Sequence, residues 1–373
     1  MNSYADQDSL KLGVNQLKYM ATNDKKNFAS RQKERLVRQR ILEMTSAWLT
    51  RVLTAEKFLR LLKSSLSVSF LASHVVVLVY SREKQCYLVK MTTGSKKIPK
   101  DLLKLHESSA LVRELSIKLK LERCSEGARE EMKRFGAQMC FPIFVQEHLT
   151  GILLVGPRPD GKEHDPETIR FFNAITNEIG VQFQKETYYI NSITDSMTAL
   201  YNRKYLEETL LDLFRGKMKV VGGRIALALI DIDHFKLIND RLGHQAGDEV
   251  LRVVAQKLQK SVRVADRCFR YGGEEFCVLF CDLVRRDGSV LKSTSDEYVD
   301  IILRLVQRLK NSIGESVVAW KGHEIKVTVS IGVTFLSIDG RECSVDGLIN
   351  EADNMLYAAK KAGRNQILVK RDL

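Results

Sequence analysis

Arg224-Ile225-Ala226-Leu227-Ala228-Leu229-Ile230-Asp231 opens on one charge, runs through six apolar residues and closes on an acid. An unbroken apolar run of this length reads as a strand covered on both faces. Downstream, residues 269–281 read as strand, tight Gly272-Gly273 turn, strand. Between the two lies a helical pattern over 249–262, with Leu251, Val254, Leu258 and Val262 on one face. Residues 299–313 are helical again, and Ile325, Val327, Val329, Ile331 and Val333 alternate as a half-buried strand does. A last helix over 345–362 stops at Gly363, which suits a left-handed cap, before a closing strand at 366–369. This interleaving predicts an α+β unit with one antiparallel or mixed sheet and helices on one face.

Working back toward the N-terminus, the spacing of Val37, Ile41, Met44, Trp48 and Val52 predicts helix from 26 to 66. Residues 73–91 alternate like strands, and 141–145 with 150–156 form a hairpin-like pair. Asp165 then stands as an N-cap with Pro166 in the first helical position, where its missing N–H costs nothing. The helix that follows carries Ile169, Phe172, Ile175 or Thr176, Ile179, Phe183, Ile190, Ile193 and Met197. These steps approximate a heptad seam along which two chains would pair in parallel. Packing on its own domain is the equal alternative for the first half; beyond Lys185 the dimer stalk is favoured. The expected organisation is a basic helical segment at 1–52, a mixed helix-and-strand domain at 53–185 and a second domain at 186–373, with 168–197 as the connecting helix.

A chain of 373 residues is long enough for two compact units, and 44% hydrophobic with 28% charged residues is ordinary for a globular protein. No apolar run is long enough to span a bilayer, and no signal peptide is visible. Seven cysteines, odd in number and without CxxC pairs, argue against a disulfide framework or zinc site and suit the cytoplasm. The net charge of +13 includes Lys25, Lys26, Arg31, Lys33, Arg35, Arg38 and Arg40. Such a stretch attracts nucleic acid, acidic membrane or nucleotide, or is a solvated helix face. The last is favoured, because no aromatic residues interleave the basic ones, and no nucleic-acid partner is expected.

Acids in awkward places carry the chemistry. Asp231 closes a buried strand, Asp233 follows on the same side, and Glu274 and Glu275 sit at a Gly-Gly turn between apolar strands. Carboxylates gathered near a core repel one another and need a cation. A hard divalent ion such as Mg²⁺ is the natural one. Taken singly, Asp231 also reads as a helix cap and the glutamates as part of a solvated hairpin.

The combination goes further. Arg270-Tyr271-Gly272-Gly273-Glu274-Glu275-Phe276 resembles the signature of the GGDEF family of nucleotide cyclases in its GGEEF form. Thr194-Asp195-Ser196-Met197-Thr198-Ala199-Leu200-Tyr201-Asn202-Arg203 is similar to the family's opening segment. Asp231-Ile232-Asp233-His234-Phe235-Lys236-Leu237-Ile238-Asn239-Asp240 is similar to its D-I-D-x-F-K-x-x-N-D segment, and His244-Gln245-Ala246-Gly247-Asp248 follows at the family spacing. Residues 328–333, Ala352-Asp353 through Lys360, and Gly363-Arg364-Asn365 complete the series across roughly 190–371. Met197 and Ala199 stand where Leu and Gly are usual, and the stretch 282–295 is longer than usual.

This resemblance implies a palm-like fold and the reaction 2 GTP → cyclic di-GMP + 2 pyrophosphate, performed by a homodimer. Two Mg²⁺ ions, for which Mn²⁺ can substitute, would be held by Asp231, the Ile232 carbonyl, Glu274 and Glu275. Glu274 would also accept the proton of the attacking 3′-hydroxyl. Gly272 and Gly273 would let the backbone approach the phosphates. Lys360 and Arg364, one helical turn apart, would bind the β- and γ-phosphates with help from Lys236. Asn239 and Asp248 would read guanine, with His244 either lining that pocket or serving as a buried structural histidine. Arg263 and Asp266 match the R-x-x-D of the family's inhibitory product site, which implies feedback by cyclic di-GMP. With Cys140-Phe141-Pro142-Ile143-Phe144-Val145, the 149–156 strand and the helix beginning at Asp165, residues 53–185 resemble a GAF sensor domain, a module that dimerises or binds small ligands, a cyclic nucleotide being the favoured one. Two other functions compete: a catalytically silent cyclic di-GMP receptor, against which Glu274 and Glu275 stand intact, and a dimerising signalling scaffold, for which nothing positive appears.

Overall fold

The computed structural model describes residues 36–43, 54–66, 71–94, 98, 102–117, 125–218, 223–263, 265–281, 295–337 and 344–370. It divides into two compact units, Met1–Tyr189 and Ile190–Leu373.

In the first unit a helical segment at 36–43 precedes helix α1 (Ala55–Leu66). The single helix expected over 26–66 does not form, because Thr54 is not helical and its hydroxyl accepts the Lys57 N–H at 3.3 Å. A threonine so placed satisfies a donor that a first turn leaves open, and α1 begins afresh. Strands β1 (Val75–Ser81), β2 (Cys86–Thr92) and β3 (Lys104–His106) are followed by helices α2 (Ala110–Ser116) and α3 (Glu126–Phe135). Strands β4 (Met139–Val145) and β5 (His148–Val155) then complete an antiparallel sheet of order β3-β2-β1-β5-β4. Its two faces carry separate cores. Leu111, Val112, Met132 and Phe135 of α2 and α3 cover one, and Phe58 and Leu62 of α1 cover the other.

Helix α4 (Pro166–Ile193) joins α1 on that second face. Asp165 caps it as expected, accepting the Thr168 N–H at 2.6 Å. Phe172, Ile175, Ile179 and Phe183 are buried against the sheet, so the first half of the heptad-like seam packs on its own unit. Tyr188, Tyr189 and Ile190 are exposed beyond it. The helix stops at Ile193, and Met197, read as its last seam residue, lies in the turn that follows. Arg38 overturns the solvated reading of the basic stretch at its own position. It is buried, and it donates to Glu167 Oε2 at 2.8 Å, Asp165 Oδ2 at 3.1 Å and Thr168 Oγ1 at 2.7 Å. Lys25, Lys26, Arg31, Lys33 and Arg35 lie outside the described residues.

The second unit opens with β6 (Tyr201–Asn202) and α5 (Arg203–Phe214), then β7 (Arg224–Ile232), α6 (Phe235–Leu242) and α7 (His244–Ser261). The signature hairpin is β8 (Arg267–Arg270) and β9 (Glu275–Phe280). After α8 (Ser295–Gly314) come a small hairpin, β10 (Val317–Trp320) and β11 (His323–Lys326), then β12 (Val329–Ser337), α9 (Val345–Lys361) and β13 (Ile367–Lys370). Six strands form a mixed sheet of order β13-β12-β7-β9-β8-β6, with β7 at its middle.

Helices cover both faces of this sheet, which corrects the expectation of one. The alternation of β7 shows why: Ala226, Ala228, Ile230 and Ile232 join α7 and α8, while Ile225, Leu227 and Leu229 join α5 and α9. The stretch read as one half-buried strand is likewise two, β11 and β12, and Val329, Ile331 and Val333 are fully buried. Gly332 permits the second cover, since a Cβ there would run into the backbone of Ala352 and Leu356 in α9.

Candidate active site

The same alternation assembles the acids. Asp231 follows Leu229 onto the α9 face, Glu275 precedes Cys277 onto it, and the two are cross-strand partners. Helix α9 brings Lys360, whose ammonium lies 2.7 Å from Asp231 Oδ2. Glu274 is the last residue of the turn, and its carbonyl accepts the Ile232 N–H at 3.4 Å. The turn is closed by Tyr271 and Gly272, whose N–H groups donate to Glu275 O at 2.8 and 3.1 Å. At Gly272 a Cβ would fall 2.5 Å from Glu275 Oε2, so a larger residue would push that carboxylate aside; around Gly273 there is open room.

Electrostatically the group is strained in one direction. Burial, then the neighbouring Asp231 charge, pushes the Glu274 and Glu275 carboxyls above their ordinary values, and Lys360 opposes both shifts. Asp231 is itself 6% exposed and raised, chiefly by burial, against the pull of Lys360 and Arg364. All four side chains therefore share one field. Among the described residues no three His, Cys, Asp or Glu side chains stand close enough together to form a ready metal cluster. Hard carboxylate oxygens in mutual repulsion, with the Lys360 ammonium and more distant guanidinium charge against them, nevertheless have the chemistry of a divalent-cation site.

Asp233 behaves differently from Asp231. Its carboxylate accepts from Thr328 Oγ1 and Ser330 Oγ, both at 2.6 Å, and from Asn365 N at 3.0 Å. It ties β7, β12 and the loop after α9 together, a role that the D-x-D spacing alone did not distinguish from metal binding. Arg364 departs from the expected geometry. Helix α9 ends at Lys361, and Gly363, Arg364 and Asn365 all have positive φ, so Arg364 approaches from a left-handed loop and not from the helix of Lys360.

The other candidates sit around α6 and α7. Asn239 Oδ1 is buried without a hydrogen-bond partner and faces Gly247, where any Cβ would collide with it. Asp248 is half-buried on α7, and Lys236 is exposed on α6. His244 is exposed at the start of α7, which removes its reading as a buried structural histidine. In the R-x-x-D turn, Asp266 is buried and accepts the Arg263 N–H at 2.9 Å, with a further backbone bond from Cys281. Asp266 thus closes the turn while Arg263 is exposed beside it.

One link escaped the sequence reading. Arg270 Nη1 donates to both oxygens of Asp195 at 3.1 Å, and its Nη2 donates to Gly273 O at 2.9 Å. The opening segment of the unit is thereby fastened to the signature turn. Arg203 adds to this by lying over the Tyr271 ring, 4.6 Å from its centroid. The ion-pair partners are far apart in sequence and show no periodicity by which to find them.

Residues 192–366 match the family model described as diguanylate cyclase, GGDEF domain. Diguanylate cyclase DgcP of Pseudomonas aeruginosa is 38% identical over 178 residues, covering 48% of this chain and 24% of that protein. Response regulator PleD of Caulobacter vibrioides is 36% identical over 181 residues, covering 48% of this chain and 36% of its own length. The chain thus matches only about a quarter to a third of these relatives. A solved structure of the coiled coil and GGDEF domain of DgcB from Caulobacter crescentus, in complex with c-di-GMP, aligns over 55% of this chain and all of its own. The identity there is 24% and the TM-score 0.46. No helix among the described residues is long and apolar enough to cross a membrane.

Proposed function

With a GGDEF domain at residues 192–366, we propose that the chain is a diguanylate cyclase that joins two GTP molecules into cyclic di-GMP, with release of two pyrophosphates. One observation carries this: Asp231, Glu274 and Glu275 share a single field at the β7–β9 edge, with the Lys360 ammonium paired to Asp231 and the Arg364 charge felt there. Asp231, the Ile232 carbonyl, Glu274 and Glu275 would hold Mg²⁺, or Mn²⁺ in its place. Bound divalent ions supply Lewis-acid stabilisation of charge on the attacked α-phosphate. Glu274 takes the proton of the 3′-hydroxyl, a task suited to a carboxyl raised above its ordinary range. Lys360 turns its ammonium from Asp231 to the phosphates, and Arg364 and Lys236 bind them beside it. Asn239, with its unpartnered buried oxygen, and Asp248 accept the N–H edge of guanine, with His244 at the rim.

Because each active half holds one nucleotide, turnover needs a homodimer. The exposed Tyr188, Tyr189 and Ile190 on α4 support pairing along that helix in the cytoplasm. Arg263, held in place by the Asp266 turn, is the contact for inhibitory cyclic di-GMP. The antiparallel sheet with helices on both faces supports a GAF-like sensor at 53–185. Cyclic GMP or cyclic AMP added to the full chain should release or take up heat; a flat titration removes the cyclic nucleotide as its ligand.

The deciding assay incubates purified chain with GTP and Mg²⁺ and separates the products. Cyclic di-GMP should appear, and product added at micromolar level should slow its formation. GTP left intact would overturn the activity, and an unchanged rate would remove the inhibitory site.

A further inference from the structure

Arg364 is presented by a backbone that needs holding. Gly363, Arg364 and Asn365 have φ of 110°, 64° and 45°. For Arg364 this left-handed region is disfavoured, whereas Asn365 tolerates it better, and such a conformation at an arginine lasts only where its surroundings fix it. The Arg364 N–H donates back to Ala359 O of α9 at 3.0 Å. Beyond that bond, one restraint is Asp233, which accepts the Asn365 N–H and is pinned by the hydroxyls of Thr328 and Ser330. The other comes from α8, where Lys310 Nζ donates to Asn365 O at 3.0 Å and to Asn365 Oδ1 at 2.8 Å. Helix α8 packs on the sheet face opposite α9, so Lys310 ties the two layers together beside the edge strand β13. Asp233 holds the Asn365 N–H, in the peptide that joins it to Arg364; Lys310 holds the Asn365 carbonyl and side chain, and so fixes the left-handed conformation of the residue that follows Arg364.

We propose that Lys310 is a positioning residue for the nucleotide: it holds Arg364-Asn365 in the left-handed arrangement that aims the Arg364 guanidinium at the triphosphate. This rests on the reading of the site as a GTP site. Arg364 is near enough to the acids for its charge to favour the ionised form of Asp231. Lys310 itself touches no candidate catalytic group. Its bonds are solvent-exposed, and exposed contacts of this kind contribute little to stability. The loss of Lys310 should therefore appear in nucleotide affinity and not in folding.

The test compares full-length wild type, Lys310→Met, Lys310→Arg, Arg364→Ala and the Lys310→Met/Arg364→Ala double variant. The readouts are kcat and KM for GTP, Kd for α,β-methylene-GTP and Tm. Lys310→Met should raise KM and the analogue Kd about tenfold, equal to about 1.4 kcal/mol, while leaving kcat within about twofold and Tm within about 2 °C. Lys310→Arg, which keeps a donor of the same charge, should restore most of the affinity. The double variant should bind no worse than Arg364→Ala, because the lysine acts only through the arginine. Additive losses, or a Lys310→Met protein with wild-type KM and Kd, overturn the assignment. A wild-type protein that neither cyclises GTP nor binds the analogue removes the GTP site itself, a different failure. Binding without cyclisation leaves the Lys310 comparison intact through Kd alone.

Discussion

Glu274→Gln should lower cyclic di-GMP formation by about 10³-fold, inside the range general acid–base groups commonly supply, and at neutral pH its Tm should equal or exceed that of wild type. The amide keeps the shape of the side chain but cannot take a proton and is a poorer ligand for a hard cation. The stability half follows from the direction of the shift. Burial, Asp231 and Glu275 raise the Glu274 carboxyl above its ordinary value, and only Lys360 opposes them. A carboxyl raised on folding adds stability below its unfolded pKa and loses it as pH climbs through the folded one. At neutral pH the folded protein therefore carries this charge at a cost that glutamine removes. Wild-type turnover should correspondingly decline on acidification while a normal glutamate would still be ionised. Assays of product against pH, with thermal melts of both proteins, check the two halves together. Retained turnover would move the proton acceptor elsewhere, and a lowered Tm would mean that Glu274 holds the fold.

That combination of lost activity and undiminished stability is what a site built from repelling acids should give. It also explains which parts of the molecule could be read in advance. The apolar run of β7 announced a strand covered on both faces, and period-two alternation then fixed which acids share a side. Asp231 and Glu275 met as cross-strand neighbours for that reason. The same run contradicts helices on a single face, so α5 and α9 opposite α7 and α8 were implicit in the residues that suggested otherwise. The seam of α4 was less legible. Phe172, Ile175, Ile179 and Phe183 repeat at steps that serve a sheet or a second helix equally, and only packing shows that they serve the sheet. Backbone handedness was least legible. A helix running on to Arg364 and a left-handed loop presenting it differ by three φ angles, of which Gly363 alone gives a hint.

Asp233→Ala should destabilise the protein by about 3 kcal/mol, since each buried polar group left without its partner costs roughly 1–3 kcal/mol. The neighbouring Asp231→Asn should not destabilise it. Both aspartates are buried, at 5% and 6% exposure, and only two positions separate them. Their surroundings set opposite signs. Asp233 sits among donors: two hydroxyls at 2.6 Å and one backbone N–H at 3.0 Å, with Ser330 fully buried. Alanine would strand those donors and release the loop that carries Arg364. Asp231 faces other acids, its charge is disfavoured by burial, and the partly exposed Lys360, with a smaller pull from Arg364, only offsets this. Neutralising that charge removes a penalty along with a bond. For a domain of this size Tm should fall by roughly 10 °C in Asp233→Ala and stay near wild type in Asp231→Asn, although the second variant loses turnover. Equal Tm values for the two would mean that Asp233 is not the structural member of the pair, and that the acids of the D-x-D segment must be reassigned.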